Sequence, residues 1–177
     1  IRVHTNATFT MVNSSIRPTQ ELEDYILNEI GLGSAYGFAV GADDIPNVDS
    51  WAQLDISSSD IFMTHIRLKY ANATIEYSNF YGYYYNNVSA IPDGLWAENS
   101  FLDIQNSSFI DYEQGFRSIG YLANHHNVSC SNCTFLMSQE WWTNDISLLN
   151  ANGLNINYSK LVKYLDSSIS CYNSGVC

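Results

Sequence analysis

Four cysteines and a pair of histidines are the residues best able to hold a metal ion or to cross-link this chain. Cys130 and Cys133 form a Cys-x-x-Cys motif just after His125 and His126, and ligands of this kind suit zinc. The alternative is disulfide bonding, which an even number of cysteines favours in an extracellular protein. Three pairings exist for four cysteines, and the histidines are predicted to lie in a loop. The sequence therefore predicts no metal ion and no cofactor. It favours the two local disulfides, Cys130–Cys133 and Cys171–Cys177, over a cross-pairing that would tie the C-terminal tail to the body.

Sequons for N-linked glycosylation give the clearest indication of compartment. The chain contains more Asn-X-Ser/Thr motifs than its composition would give by chance, and a sequon that carries sugar must face solvent outside the cytoplasm. We therefore expect an extracellular or cell-surface glycoprotein with N-linked glycans. The candidate acceptors are eight asparagines: Asn6, Asn13, Asn72, Asn87, Asn106, Asn127, Asn132 and Asn157.

The charge balance limits the partners. The net charge is −11, from 18 acidic and 7 basic side chains in 177 residues. An acidic chain repels phosphate backbones and anionic lipid surfaces, so we expect no nucleic-acid partner. No window approaches the roughly 20 apolar residues of a membrane span, so we also expect no membrane insertion.

One eight-residue frame recurs five times in this sequence. Its pattern is apolar, any, apolar, any, any, small, any, large apolar, and an Ala precedes each copy. In the third position the copies carry Ile or Cys, and in the sixth they carry Ser or Cys. Side chains that alternate in this way share one face of a short strand. The five segments are Leu54–Ile61, Ala73–Phe80, Leu102–Phe109, Val128–Phe135 and Leu154–Leu161.

Short strands of this kind must stack to bury their apolar faces, and stacking brings like residues together. Segments such as Leu102–Phe109 resemble coils of the right-handed parallel β-helix proteins, the pectin-lyase-like superfamily. The resemblance covers about residues 50–165 and implies architecture only. We therefore predict an all-β fold, a short right-handed parallel β-helix of about five coils.

Both ends of such a solenoid need cover. Residues 19–31 are predicted to form an amphipathic α-helix that caps the first coil, because acidic residues fill its first turn and a glycine ends it. Residues 1–18 precede this helix as an N-terminal arm or strand in which Val3, Phe9 and Met11 alternate with polar residues. The arm either folds back on its own body or adds a strand to a neighbouring subunit. We interpret residues 19–177 as one β-helix domain, with a disulfide-linked tail at 166–177.

The resemblance also locates the place where an enzyme of this family would keep its catalytic carboxylates. The matching outward positions retain two aspartates, separated by one intervening coil, and no Lys or Arg. Asn106 and Asn132 are sequons beside them. We therefore expect no catalytic residues and no enzymatic activity, with a polysaccharide lyase or glycoside hydrolase as the weakest alternative. The outward positions are Asp55, Thr74, Asp103, Ser129 and Asn155.

These observations favour a structural role. We expect a self-assembling subunit of an extracellular filament, appendage or layer, whose partners are copies of itself. The aromatic clusters at residues 80–85 and 141–142 suit an interface, and they also support the alternative of a carbohydrate- or receptor-binding surface protein.

Overall fold

The computed structural model covers all 177 residues and describes part of them. The described residues are 1–17, 19–20, 37–42, 50–62, 65–82, 84–85, 88–89, 93–110, 114–119, 127–137, 146–149, 154–157, 160–163 and 169–172.

Most of the described chain is β-strand, and all of these strands except one short hairpin form three sheets. Sheet A contains β1 (Arg2–Val3), β4 (Gly37–Gly41), β7 (His65–Lys69), β12 (Asp93–Glu98), β15 (Gln114–Ile119), β18 (Ile146–Leu149) and β21 (Ile169–Tyr172). Sheet B contains β2 (Thr8–Val12), β5 (Ala52–Ser57), β8 (Ala71–Glu76), β13 (Phe101–Gln105), β16 (Asn127–Ser131) and β19 (Leu154–Asn157). Sheet C contains β3 (Ser15–Ile16), β6 (Asp60–Phe62), β9 (Asn79–Tyr81), β14 (Ser108–Ile110), β17 (Thr134–Met137) and β20 (Lys160–Lys163).

The chain visits these sheets in a constant rotation, from A to B to C and back to A. Within each sheet every neighbouring pair of strands is parallel. A small antiparallel hairpin, β10 (Tyr84–Tyr85) with β11 (Val88–Ser89), interrupts the rotation once. The fold class is therefore all-β with parallel strands in three sheets, an arrangement compatible with a parallel β-helix.

Strand register confirms the repeated frame. Ile56 pairs with Ile75, which pairs with Ile104, and Ile104 pairs with Cys130. In sheet C, Ile61, Phe80 and Phe109 align in the same way. The side chains in these two rows are at most 2% exposed, so like residues stack on like residues to form the core.

The preceding Ala does not mark one structural position. Ala52 and Ala71 are register partners at the start of sheet B strands, whereas Ala97 lies in β12 of sheet A, where it pairs with Leu68. Only the eight-residue frame is therefore a structural repeat.

A sixth copy of the frame lies at the N-terminus. Residues 9–16 read Phe-Thr-Met-Val-Asn-Ser-Ser-Ile, and Phe9 pairs with Leu54 while Met11 pairs with Ile56. Val3, Phe9 and Met11 lie in strands that pair with their own chain, which is the fold-back alternative of the two left open for residues 1–18. Val3 and Met11 are buried in the common core, where their apolar side chains continue the rows.

The predicted capping helix over residues 19–31 lies outside the described residues, apart from Thr19 and Gln20. The disulfide-linked tail is described only in β21. No helix among the described residues is both long and apolar enough to span a bilayer.

The corner between sheets B and C is built from a left-handed residue followed by a small one, which is a serine in four repeats and Cys133 after Asn132. Asn13, Ser58, Tyr77, Asn106 and Asn132 all adopt φ between 48° and 53° at this corner. The serines that follow form a ladder in which each backbone N–H donates to the next repeat's hydroxyl, at 3.1–3.3 Å. Each hydroxyl donates in turn to the carbonyl two residues before it. The sixth position of the eight-residue frame holds a small side chain because this ladder of hydrogen bonds passes through it.

Tyr77 is a poor residue for this corner, and its replacement should stabilise the protein. A left-handed backbone is unfavourable for most L-residues, whereas asparagine tolerates it. Tyr77 is 62% exposed, so its ring contributes little burial. We expect Tyr77→Asn to raise the free energy of unfolding by about 0.5–1 kcal/mol. Chemical denaturation measures this, and Asn106→Tyr at the equivalent corner should lower stability. A destabilised Tyr77→Asn variant would contradict the assignment.

Candidate functional site

The outer face of sheet B carries the polar positions that the sequence singled out, and they form three parallel rows. The middle row confirms the expected alignment, since Asp55, Thr74, Asp103, Ser129 and Asn155 are successive register partners. On one side of it run Thr8, Gln53, Asn72, Phe101 and Asn127. On the other side run Val12, Ser57, Glu76, Gln105, Ser131 and Asn157.

Two carboxylates lie in the middle row, each held by an amide on its own strand. The Gln53 side chain donates from Nε2 to Oδ1 of Asp55 at 2.7 Å. Gln105 donates from Nε2 to Oδ2 of Asp103 at 2.9 Å. The two aspartates are two strand spacings apart, about 10 Å along the row, with Thr74 between them. This separation is slightly beyond the roughly 6.5–9.5 Å that inverting glycosidases use.

Sheet B has no cationic group beside these carboxylates. Its six strands contain no Lys, Arg or His, while they contain Asp55, Glu76 and Asp103. The carboxylates of Asp55 and Asp103 each accept a hydrogen bond from a glutamine amide of their own strand, so the described residues of sheet B offer hydrogen-bond acceptors on this face.

A shallow groove of about 370 Å³ crosses this face. One aromatic side chain, Phe101, stands among the polar groups of Asn72, Thr74, Asp103 and Ser129 along the groove. The Phe101 ring packs against Trp51 with centroids 5.3 Å apart. A half-buried ring flanked by hydroxyl, amide and carboxylate groups has the composition of a small polar-ligand site.

The sequons concentrate around this same face. Asn72 lies in an outer row of sheet B, and Asn127 and Asn157 occupy register positions of the outer rows. Asn13, Asn106 and Asn132 are at the corner that borders it, and Asn6 lies at a second left-handed corner before β2. Asn132 donates from Nδ2 to Oδ1 of Asn106 at 2.7 Å, as expected for equivalent positions in successive repeats. Asn87 lies outside the described residues.

The structure contains the predicted disulfide between Cys130 and Cys133. Both cysteines are buried in the core, at the positions that Ile and Ser hold in other repeats. Neither sulfur is a free thiolate. Within the described part of the chain, no cluster of three or more His, Cys, Asp or Glu side chains is placed to hold a metal ion. The Cys171–Cys177 pairing, His125 and His126 lie outside the described side chains.

Two half-buried aromatic rings stack on the outside of sheet C. The Phe62 and Tyr81 rings stack at 4.6 Å, and the Arg17 guanidinium lies 3.7 Å from the Phe62 centroid. Burial raises the pKa of the Tyr81 hydroxyl and Asp60 raises it further, while Arg17 lowers it. The side chains of Tyr84, Trp141 and Trp142 lie outside the described residues.

Sequence reasoning missed the groove because Phe101 immediately precedes the frame. Its register with Asn72 and Asn127 was nevertheless available, since all three lie one residue before the first frame position. Extending the alignment by one residue would have found this row.

Comparison of the chain with protein-family models, with curated proteins and with solved structures gave no match.

Proposed function

We propose that this protein is an extracellular, N-glycosylated structural protein, and that copies of it assemble end to end through the open ends of a right-handed parallel β-helix. The right-handed sense follows from the general preference of parallel crossover connections. The observation that carries the proposal is the first repeat: β1, β2 and β3 each end their sheet, and no described strand pairs with their outer side. The proposal requires residues 19–31, predicted above to cap the first coil, to leave this edge accessible.

The outer edges of β1, β2 and β3 support this role. Each of these strands is the last in its sheet, and no described strand pairs with its far side. Natural proteins usually protect such edges with charge, proline or a bulge. β2 reads Thr-Phe-Thr-Met-Val and contains none of the charged or proline residues. An edge of this kind suits addition of another strand.

The occupant that fits this edge is the opposite end of a second copy. The last repeat has Leu154, Ile156 and Leu161 in the positions where the first repeat has Phe9, Met11 and Ile16. A second molecule would therefore continue each apolar row with residues of the same class. Such a contact is heterologous, and repeated contacts of this type build filaments unless the rotation closes a ring.

Exposed apolar side chains in the first repeat support the same interpretation. Val12 is 51% exposed in a row whose other members are polar: Ser57, Glu76, Gln105, Ser131 and Asn157. Ile1 is 60% exposed at the start of the first sheet A strand. Apolar groups in such places commonly mark an interface.

Glycosylation belongs to the proposal because the sequon asparagines lie at corners and outer rows, where an attached sugar meets solvent. Asn6, Asn13 and Asn132 are exposed. Glycosylation is tested by mass spectrometry of the protein secreted from a eukaryotic host, before and after enzymatic removal of N-glycans. Occupied sites would place the protein in the secretory route, and an unmodified secreted chain would contradict this part.

The assembly is tested by adding a charge to the open edge. We expect the wild-type chain to sediment as oligomers that grow with concentration and to form filaments in negative-stain micrographs. Val12→Asp should leave it monomeric, because a buried, unpaired carboxylate in the contact is costly. Tyr77→Asp is the control, since Tyr77 is similarly exposed but lies in a middle repeat. A monomeric wild type would contradict the proposal, and so would equal assembly of Val12→Asp and Tyr77→Asp.

The groove around Phe101 favours a second candidate function, carbohydrate binding. Its ring can stack on a sugar while Asn72, Thr74 and Asp103 accept or donate hydrogen bonds to hydroxyls. A glycan array with the wild type and Phe101→Ala would support it if a hit is lost in the variant. Binding that survives Phe101→Ala would place the sugar site elsewhere.

A further inference from the structure

The strongest unassigned feature is a basic trough on the outside of sheet A. The strands of sheet A contain four basic residues, Arg2, Arg67, Lys69 and Arg117, and two acidic ones, Asp93 and Glu98. The whole chain has only 7 basic residues and a net charge of −11. Sheet A is thus net positive on an acidic protein, whereas sheet B contains no basic residue.

The trough exists because β4 has no large side chain on its outer face. Phe38 and Val40 are buried in the core, which leaves Ala39 and Gly41 outward. Ala39 is the register partner of Arg2 on one side and of Arg67 on the other. Two arginines therefore stand about 10 Å apart across a strand of small residues.

The trough has a volume of about 330 Å³. Arg2, His4 and Thr5 form one wall, while Arg67 and Lys69 form the other, above a floor of Ala39 and Gly41. Hydrogen-bond donors therefore line the trough from both sides. We propose that this trough binds the oxyanion group of a small ligand: a carboxylate, sulfate or phosphate.

Glu98 is the one carboxylate that the described residues place against these cations. Its oxygens lie 3.8 Å from Nη2 of Arg67 and 3.7 Å from Nζ of Lys69. Both distances exceed the roughly 2.7–2.9 Å of a charge-assisted hydrogen bond. Arg67 has five N–H donors and Lys69 three, so one distant carboxylate leaves capacity for a ligand. Arg67 also lies 4.9 Å from the Trp96 ring centroid, which holds its side chain beside the trough.

Isothermal titration of the full chain in low salt provides the test, with sodium sulfate, sodium phosphate and sodium glucuronate as separate probes and chloride as the reference. Comparing the three probes shows whether the trough binds a sulfate, a phosphate or a carboxylate. We expect saturable binding of at least one probe that weakens as sodium chloride is added, because the contact is electrostatic.

Four variants distinguish a binding site from a surface that is merely charged. Lys69→Gln and Arg67→Gln should each weaken binding about tenfold, since each loses a charge-assisted contact. Arg17→Gln is the matched control, because Arg17 stacks on Phe62 outside the trough, and it should bind like the wild type. Glu98→Gln removes the competing carboxylate and should strengthen binding about two- to fivefold.

The Glu98→Gln result keeps the test decisive if a cation variant fails to fold, because a structural role alone would not tighten an anion. Equal affinity in Lys69→Gln and Arg17→Gln, or no binding beyond that of chloride, would overturn the proposal. The assembly test with Val12→Asp is separate from this outcome, since Val12 lies in sheet B and does not line the trough, although β1 contributes an edge to the assembly and Arg2 to the trough.

Discussion

Phe80→Ala should lower the free energy of unfolding by about 3–5 kcal/mol. The Phe80 side chain is fully buried, and its ring stacks on that of Phe109 with centroids 4.7 Å apart and planes 8° apart. Ile61 is its register partner on the other side. Removing the ring deletes contacts on both sides and leaves a cavity, because paired strands cannot close together to fill it.

The matched control is Phe62→Ala. Phe62 also stacks on an aromatic ring, that of Tyr81, but on the half-buried outside of the same sheet. We expect it to lose about 1 kcal/mol. Guanidinium titration monitored by circular dichroism compares the two, and parallel m-values check that the same amount of structure unfolds. If Phe80→Ala costs no more than Phe62→Ala, the stacked row is not the core of the fold.

Gly41→Ala should also destabilise the protein strongly, by about 2–4 kcal/mol. Gly41 has φ of +111°, a conformation that L-residues with a side chain rarely adopt. A Cβ at this position would lie 1.7 Å from the backbone oxygen of Lys69. That oxygen accepts a hydrogen bond from the Ala42 N–H at 3.0 Å, so it cannot move without disturbing the strand pairing.

Gly82→Ala is the comparison for this substitution. Gly82 does not have a positive φ, so alanine there should change stability by less than about 1 kcal/mol. Thermal unfolding of the two variants beside the wild type gives the difference. Equal melting temperatures for Gly41→Ala and the wild type would show that β4 does not approach β7 closely at Gly41.

The repeated frame made most of this fold accessible from sequence. Register depends on which residues alternate, and the third and eighth positions are apolar in every copy, so the stacking of Ile75 on Ile104 followed directly. The outward row with Asp55 and Asp103 followed for the same reason. The local disulfide was also predictable, because two cysteines took positions that point inward in the frame.

The first repeat escaped the pattern although Phe9–Ile16 fits it in every position. A stretch of 37 residues separates Ile16 from Leu54, far more than separates any other two copies, and it contains the predicted helix. The sequence therefore left open whether residues 1–18 fold back on their own body or add a strand to a neighbouring subunit. The pairing of Met11 with Ile56 is a tertiary contact, and the spacing of the repeats along the sequence does not indicate it.

The residues by themselves determined the period, the inward rows and the positions of the sequons, because alternation along a strand is a local property of the chain. Only the tertiary structure decided which strands share a sheet. It brought Arg2 and Arg67 together across Ala39 although 65 positions separate them in sequence, and it placed Val12 on the strand that ends sheet B among the described residues. Which residues become neighbours on adjacent strands depends on the length of the intervening loops and on the sheet to which the chain returns. No local sequence pattern contains that information.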